Sequence, residues 1–208
     1  MFSVQKSRQS GASLIVVLLI LVVVTILGVG GAQIALMGER AARNDRDYQI
    51  AWQSAEAALL DAEFDIQGPN AAANNRMALF ATGNNQAFVV DCGTPGNDNR
   101  GLCETATTAT KPVWLTVNLE ATDTATQATL VGTFTGRDFN VQTGGGLGPA
   151  RTPRYVVEIL RDREIFSDIG TNNAPPDNYL YRVTAMGFGP RPDIQGVVQM
   201  LFRKIPEQ

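Results

Sequence analysis

ASLIVVLLILVVVTILGVGGAQIALMG, residues 12–38, decides how this chain is read. It carries no charged side chain, and an apolar run of this length is enough to span a bilayer, which needs roughly 20 residues. Before it stands a polar leader, MFSVQKSRQSG, with Lys6 and Arg8. After it, Glu39, Arg40, Arg43, Asp45 and Arg46 arrive together. The helical character continues past these charges. ERAARNDRDYQIAWQSAEAALLDAEFDI, residues 39–66, is rich in Ala, Glu, Leu, Arg and Gln and has no Pro or Gly. Tyr48, Trp52, Ala55, Leu59, Ala62 and Ile66 recur at spacings of three and four, which predicts one buried helix face. Gly68-Pro69 stops the pattern. A single helix of about 55 residues, about 80 Å long, follows from the shared phase.

Three readings compete for the amino-terminal segment: a secretory signal that is removed, a plain signal anchor, and a segment cut before the apolar run. A removable signal has a core of about 7–15 residues and ends at a small-x-small site. Here the run is longer and residues 27–38 offer no polar flank. For the other two, Lys6 and Arg8 hold the leader in the cytoplasm and place the rest across the membrane. Arg40, Arg43 and Arg46 oppose this weakly, in company with Glu39, Asp45 and Asp47. Gly28, Gly30 and Gly31 cost helix stability in water but permit close helix contact, or bending, in lipid.

At 208 residues the chain suits one domain plus an anchor. Its net charge is -3, the 17 basic residues are dispersed, and no basic-aromatic cluster points to nucleic acid. It has no His, which removes the commonest general base and zinc ligand. The two cysteines, Cys92 and Cys103, bracket the Gly/Asn-rich CGTPGNDNRGLC. Outside the cytoplasm they form a disulfide, contributing about 2–3 kcal/mol; in a reducing compartment they are two free thiols.

Beyond the helix, Arg76–Phe80 reads as a short helix or loop, and strand signals then dominate. AFVVD (87–91), VWLTVN (113–118), LVGTFT (130–135), residues 155–160, YLYRVTA (179–185) and VVQMLF (197–202) are the expected strands. The last two are joined by the Gly/Pro-containing MGFGPRPDIQG, a hairpin. The expected fold is α+β: a long amino-terminal helix, its first half transmembrane, packed on a mostly antiparallel carboxy-terminal sheet. The Thr/Ala-rich segments 104–112 and 121–129 read as surface strands or solvated loops. Segments 140–153 and 170–178 read as loops, and the GGGLGP within the first lacks the GK[ST] of a phosphate loop.

Nothing in this pattern organises catalysis. Asp162, Glu164 and Asp168 cluster around Arg161 and Arg163, as a charged hairpin end does, without a visible cleft. Asp91, Asn97, Asp98 and Asn99 offer oxygen ligands but not the twelve-residue calcium-loop spacing. Ser7, Ser10 and Ser13 have no His partner. No cofactor and no metal are expected, and the chain is read as a non-enzyme.

Ser10-Gly11-Ala12-Ser13-Leu14-Ile15, followed by the long apolar run, resembles the class III signal of type IV pilins and pseudopilins. More narrowly, the region through Glu63 resembles the amino-terminal part of PilX-type minor pilins, and RVTAMGFGPRPDIQGVVQMLFRK resembles that family's final hairpin. The resemblance implies residues 1–11 as leader, 12–67 as the long helix with 12–33 in the membrane or fibre core, and 68–208 as a periplasmic sheet domain. It implies cleavage by prepilin peptidase after Gly11, leaving an N-methylated Ala12. Helix packing then falls to Val16, Gly28, Gly30, Gly31, Trp52 and Leu59.

One departure is informative. Most major pilins carry Glu at the fifth mature residue, where it pairs with a neighbouring amino terminus; here it is Val16. A buried carboxylate needs such a partner, and tip subunits similarly lack it. The resemblance therefore implies a minor pilin that helps start a type IV pilus in a tip-proximal complex, supporting adhesion or twitching. Its implied partners are other minor pilins, the major pilin, a large tip adhesin, the inner-membrane assembly platform and membrane lipid. The alternatives are a minor pseudopilin of type II secretion, a signal-anchored periplasmic binding protein or enzyme, and a DNA-uptake pilin. The tip pseudopilins usually carry a larger helical insertion than this chain has room for.

Overall fold

The computed structural model describes residues 12–81, 84–105, 111–142, 146–161 and 179–205. One helix, α1, runs from Ala12 to Ile66. The chain divides into two compact units, Met1–Asp45 and Arg46–Gln208.

Within Arg46–Gln208, helix α1 is followed by a short 3-10 helix at Met77–Phe80 and then by strands β1 (Leu102–Glu104), β2 (Thr129–Leu130), β3 (Arg154–Arg161), β4 (Tyr179–Phe188) and β5 (Gln195–Phe202). The strand order is β1-β3-β4-β5, with β2 also pairing to β3. All pairings are antiparallel except β1 with β3, which is parallel. The fold class read from the sequence is the one observed.

The helix face that meets the sheet keeps Ala55, Ala62 and Ile66 of the expected stripe, with Leu59 at its margin, but not Tyr48 or Trp52. Ala51, Ala55, Ala58, Ala62 and Ile66 are fully buried, whereas Tyr48 and Trp52 are 50% and 42% exposed and Leu59 is half-buried. Glycine explains the preference for alanine. A Cβ on Gly187 of β4 would stand 2.2 Å from the Ala55 nitrogen and 2.3 Å from the Ala51 oxygen. One on Gly196 of β5 would lie 3.2 Å from the Trp52 nitrogen. Helix and sheet therefore touch backbone to backbone, and a ring at the seam would hold them apart. Gly187→Ala is expected to lower stability by about 1–3 kcal/mol or more, because the obstructing atoms are main chain and have nowhere to go. Urea unfolding of the full chain in detergent measures it.

The first core lies between α1 and the sheet: Tyr155, Val157 and Ile159 of β3 and Tyr181, Val183 and Ala185 of β4 face the alanine stripe. Phe80, Phe88 and Tyr181 close its end, with ring centroids 5.4–5.9 Å apart. A second core, absent from the sequence reading, covers the opposite face. There Val156, Met186 and Phe188 meet Cys92, Cys103, Val113, Val117, Leu119 and Ala128.

That second core accounts for the strands that were expected and are not formed. VWLTVN begins as a 3-10 turn at Val113–Leu115 behind Pro112 and lies across the sheet. AFVVD contributes one parallel bridge, Val89 to Cys103. LVGTFT is strand only at its start: Gly132 turns at φ +82°, and a Cβ there would stand 2.1 Å from the Arg137 oxygen. Part of 121–129 is buried instead of solvated. The Thr126 hydroxyl donates to the Asn118 oxygen at 3.0 Å and that of Thr129 to the Arg100 oxygen at 2.7 Å. Satisfied hydroxyls tolerate burial. The 155–160, 179–185 and 197–202 strands form as expected, joined in the last case by the expected hairpin.

Candidate functional site: an exposed apolar helix and a clamped sheet domain

Residues 13–38 of α1 present apolar side chains all round. Ser13–Ile66 contains a window of mean hydropathy 3.1, none of it buried. Leu14, Ile15, Val16, Leu18, Ile20, Ile26 and Leu27 are each more than half exposed. A helix apolar on every side belongs in lipid or inside a helical bundle. The one hydroxyl in its middle is satisfied locally, Thr25 Oγ1 donating to the Val22 oxygen at 2.8 Å. Gly28, Gly30 and Gly31 have open space where a Cβ would be, so each leaves a notch for another helix to approach. Val16 is 54% exposed and keeps the surface uncharged at that position. Past the apolar run, Arg43 pairs with Glu39 one turn away.

Gly11 lies outside the described residues. Ala12 opens α1.

In Arg46–Gln208 the helix end is tied to the sheet by a buried ionic clamp that was not read from the sequence. Asp65 and Arg76 are fully buried, joined at 2.7 Å between Nη2 and Oδ2 and at 3.1 Å between Nε and Oδ1. Arg76 Nη1 also donates to the Asp98 oxygen at 2.7 Å and the Arg100 oxygen at 2.6 Å. Its guanidinium stacks 3.9 Å from the Phe134 ring. Tyr155 donates its hydroxyl to Asp65 at 2.8 Å. Burial pushes the Tyr155 phenol well above its ordinary range, and the Asp65 charge pushes it the same way. One side chain thereby joins the helix end, the cysteine loop and the sheet.

The cysteine loop is closed covalently by the Cys92–Cys103 disulfide, both cysteines fully buried. Gly93 must be glycine: its φ is +74°, and a Cβ would stand 2.0 Å from the Asn99 oxygen. Among the described residues no group of acids and cysteines is placed to hold a metal ion. The backbone oxygen of Asp98 instead accepts from Arg76. Asp162, Glu164 and Asp168 lie outside the described residues. On the second face, Arg154 is fully buried against Asp123 at 2.8 Å, and Glu158 pairs with Arg182 at 2.9 Å between Nε and Oε2.

Asp61, one turn before Asp65, is buried as well. It accepts from the Gly132 backbone at 3.0 Å and from Thr135, with Arg137 3.9 Å away. Burial raises its carboxyl above the ordinary 3.8, against the two hydrogen bonds and Arg137. The folded state thus holds this proton more tightly than the unfolded chain. The stabilisation is complete below pH 3.8 and is lost as pH rises through the raised value. Asp61→Asn is expected to flatten that part of the stability profile, read as urea midpoint against pH.

An uncharged, exposed helical segment at residues 13–38, continuous with a helix-on-sheet domain, defines a pilin-like subunit, built to be held by its amino-terminal helix. Residues 10–60 match the PilX N-terminal family, and residues 99–204 match the type IV pilus assembly protein PilX C-term family. The chain belongs to the PilX family of type IV pilus assembly proteins. It is a membrane-anchored pilus component whose partners are other pilus components. No curated protein and no solved structure matches it.

Proposed function

We propose that this chain is a tip-proximal minor pilin that helps initiate type IV pilus assembly. Prepilin peptidase removes residues 1–11, Ala12 becomes the N-methylated terminus, and the sheet domain lies in the periplasm until it reaches the fibre tip. The observation that carries this reading is Val16 in a helix segment whose surface is entirely uncharged and exposed. An acid at this position must find a neighbour's amino terminus once it is buried. Val16 makes no such demand, so the subunit needs no earlier one to dock beneath. Lipid and a bundle of similar helices are comparably apolar, so transfer between them exchanges like contacts. Gly28, Gly30 and Gly31 provide the close-approach surface, with Trp52 and Leu59 further along the helix.

On this account the subunit meets other minor pilins, the major pilin, a large adhesin and the assembly platform, and the fibre serves adhesion or twitching. Deleting the gene is expected to leave cells with few or no fibres. Labelled antibody is expected at fibre ends. Uniform labelling of the shaft, with normal fibre numbers after deletion, overturns the proposal.

A further inference from the structure

The two edges of the sheet are built differently. β1 is three residues long, ends on the exposed Glu104 and is bridged by Val89. Short, charged and partly covered edges resist pairing with other chains. β5 has none of these protections. It runs eight residues, QGVVQMLF, with no charge and no Pro. Its register against β4 is unbroken from Phe188↔Gln195 to Tyr181↔Phe202, so no bulge twists it away. Among the described residues no strand pairs with its outer side.

The backbone direction follows from the hairpin. The Gly189 N–H donates to the Ile194 oxygen at 2.8 Å, which makes this a hydrogen-bonded pair. Such pairs alternate along an antiparallel ladder. Gly196, Val198, Met200 and Phe202 therefore turn their backbone groups to β4. Gln195, Val197, Gln199 and Leu201 turn theirs outward. The outward set also shares one side-chain face, on which Val197 is 46% and Leu201 66% exposed. Beside them opens a groove of about 260 Å3, mostly apolar, with Trp114, Leu115, Met186 and Val197 in its lining and Asn118 and Glu120 as its polar members.

We infer that the outer edge of β5 is a docking edge for an extended, uncharged strand of a neighbouring pilus subunit. Four residues of free N–H and C=O select an extended backbone as the occupant. Charge complementarity selects its composition: Gln195–Phe202 carry no charge, so a charged residue laid directly against β5 would lose water without gaining a partner there. Apolar side chains on alternate positions lie against Val197, Leu201 and the groove rim. That the partner is a pilus subunit rests on the pilus reading above.

The test places a photo-crosslinking amino acid at Val197 or Leu201 in the full-length protein, in piliated cells. Both positions are expected to yield a product with another pilus subunit, mapped by mass spectrometry to an extended segment. With the photo-crosslinker at Val197, Leu201→Pro removes one outward N–H from a 66% exposed position and leaves the β4 ladder intact, as proline permits on an edge. It is expected to lower product yield about tenfold, equivalent to ~1.4 kcal/mol, at an unchanged unfolding midpoint. Products insensitive to Leu201→Pro, products containing only lipid or a second copy of this chain, or no product from protein present in sheared fibres overturn the inference alone. Absence of the protein from sheared fibres overturns the pilus reading and this inference with it.

Discussion

Replacing residues 1–30 with a cleaved secretory signal is expected to remove the protein from sheared fibres completely while leaving its exported, disulfide-bonded sheet domain folded. Two observations set the size of this effect. The replaced stretch contains the charge-free surface from Leu14 to Val29, none of which is covered by the rest of the chain. Every apolar residue of the two cores lies at Ala55 or beyond, so the replacement removes nothing from either. Side chains of this kind contribute roughly 1.5–3 kcal/mol each when taken from water. A dozen of them make the difference between a subunit held in an apolar environment and one released from it. Immunoblots of sheared fibres and of the soluble fraction, run without reductant, give both readouts. Normal incorporation of the truncated chain would remove the helix from the account.

Arg76→Met is expected to destabilise the sheet domain by about 3–5 kcal/mol. The substitution leaves Asp65 charged, fully buried and held by Tyr155 alone, the situation in which breaking a buried pair is most costly. It also strips the Asp98 carbonyl of its donor, leaves the Arg100 carbonyl to Thr129 alone, and loosens the cysteine loop. The double variant Asp65→Asn/Arg76→Met is expected to recover part of the loss, because the uncompensated charge is gone while an amide oxygen still accepts from Tyr155. Denaturant midpoints of the two variants and the parent decide this. Equal loss in single and double variants would show that the charge is not the cause.

The helix and the last three strands were legible because each has a long, regular pattern that a single environment imposes. β3, β4 and β5 are eight to ten residues each; β5 alternates in burial, while β3 and β4 are covered on both faces over most of their length. What the sequence concealed is local. Tyr48 and Trp52 looked like the buried stripe because large apolar residues usually are. The seam keeps Ala55 and Ala62 of that stripe and adds Ala51 and Ala58, and only Gly187 and Gly196 opposite them reveal why small residues win. VWLTVN alternates as a strand does, yet a loop pressed on one side against a sheet shows the same period. The β1 strand, Leu102–Glu104, hid inside the cysteine spacing.

The clamp was concealed for a different reason. Asp61, Asp65 and Arg76 carry no mark of burial in the sequence, since nothing local distinguishes a buried carboxylate from an exposed one. Their burial depends on residues as distant as Tyr155 and Thr129. The sequence signal available was indirect: two acids four apart on the very face that carries the alanines.

The central claim is that this chain is a processed pilus subunit held by its apolar helix. Its most direct test is the intact mass of the protein recovered from sheared fibres. The account predicts one species that begins at an N-methylated Ala12 with Cys92 and Cys103 still joined. A fibre-associated species that retains residues 1–11, or a protein found only in the membrane fraction, would contradict it.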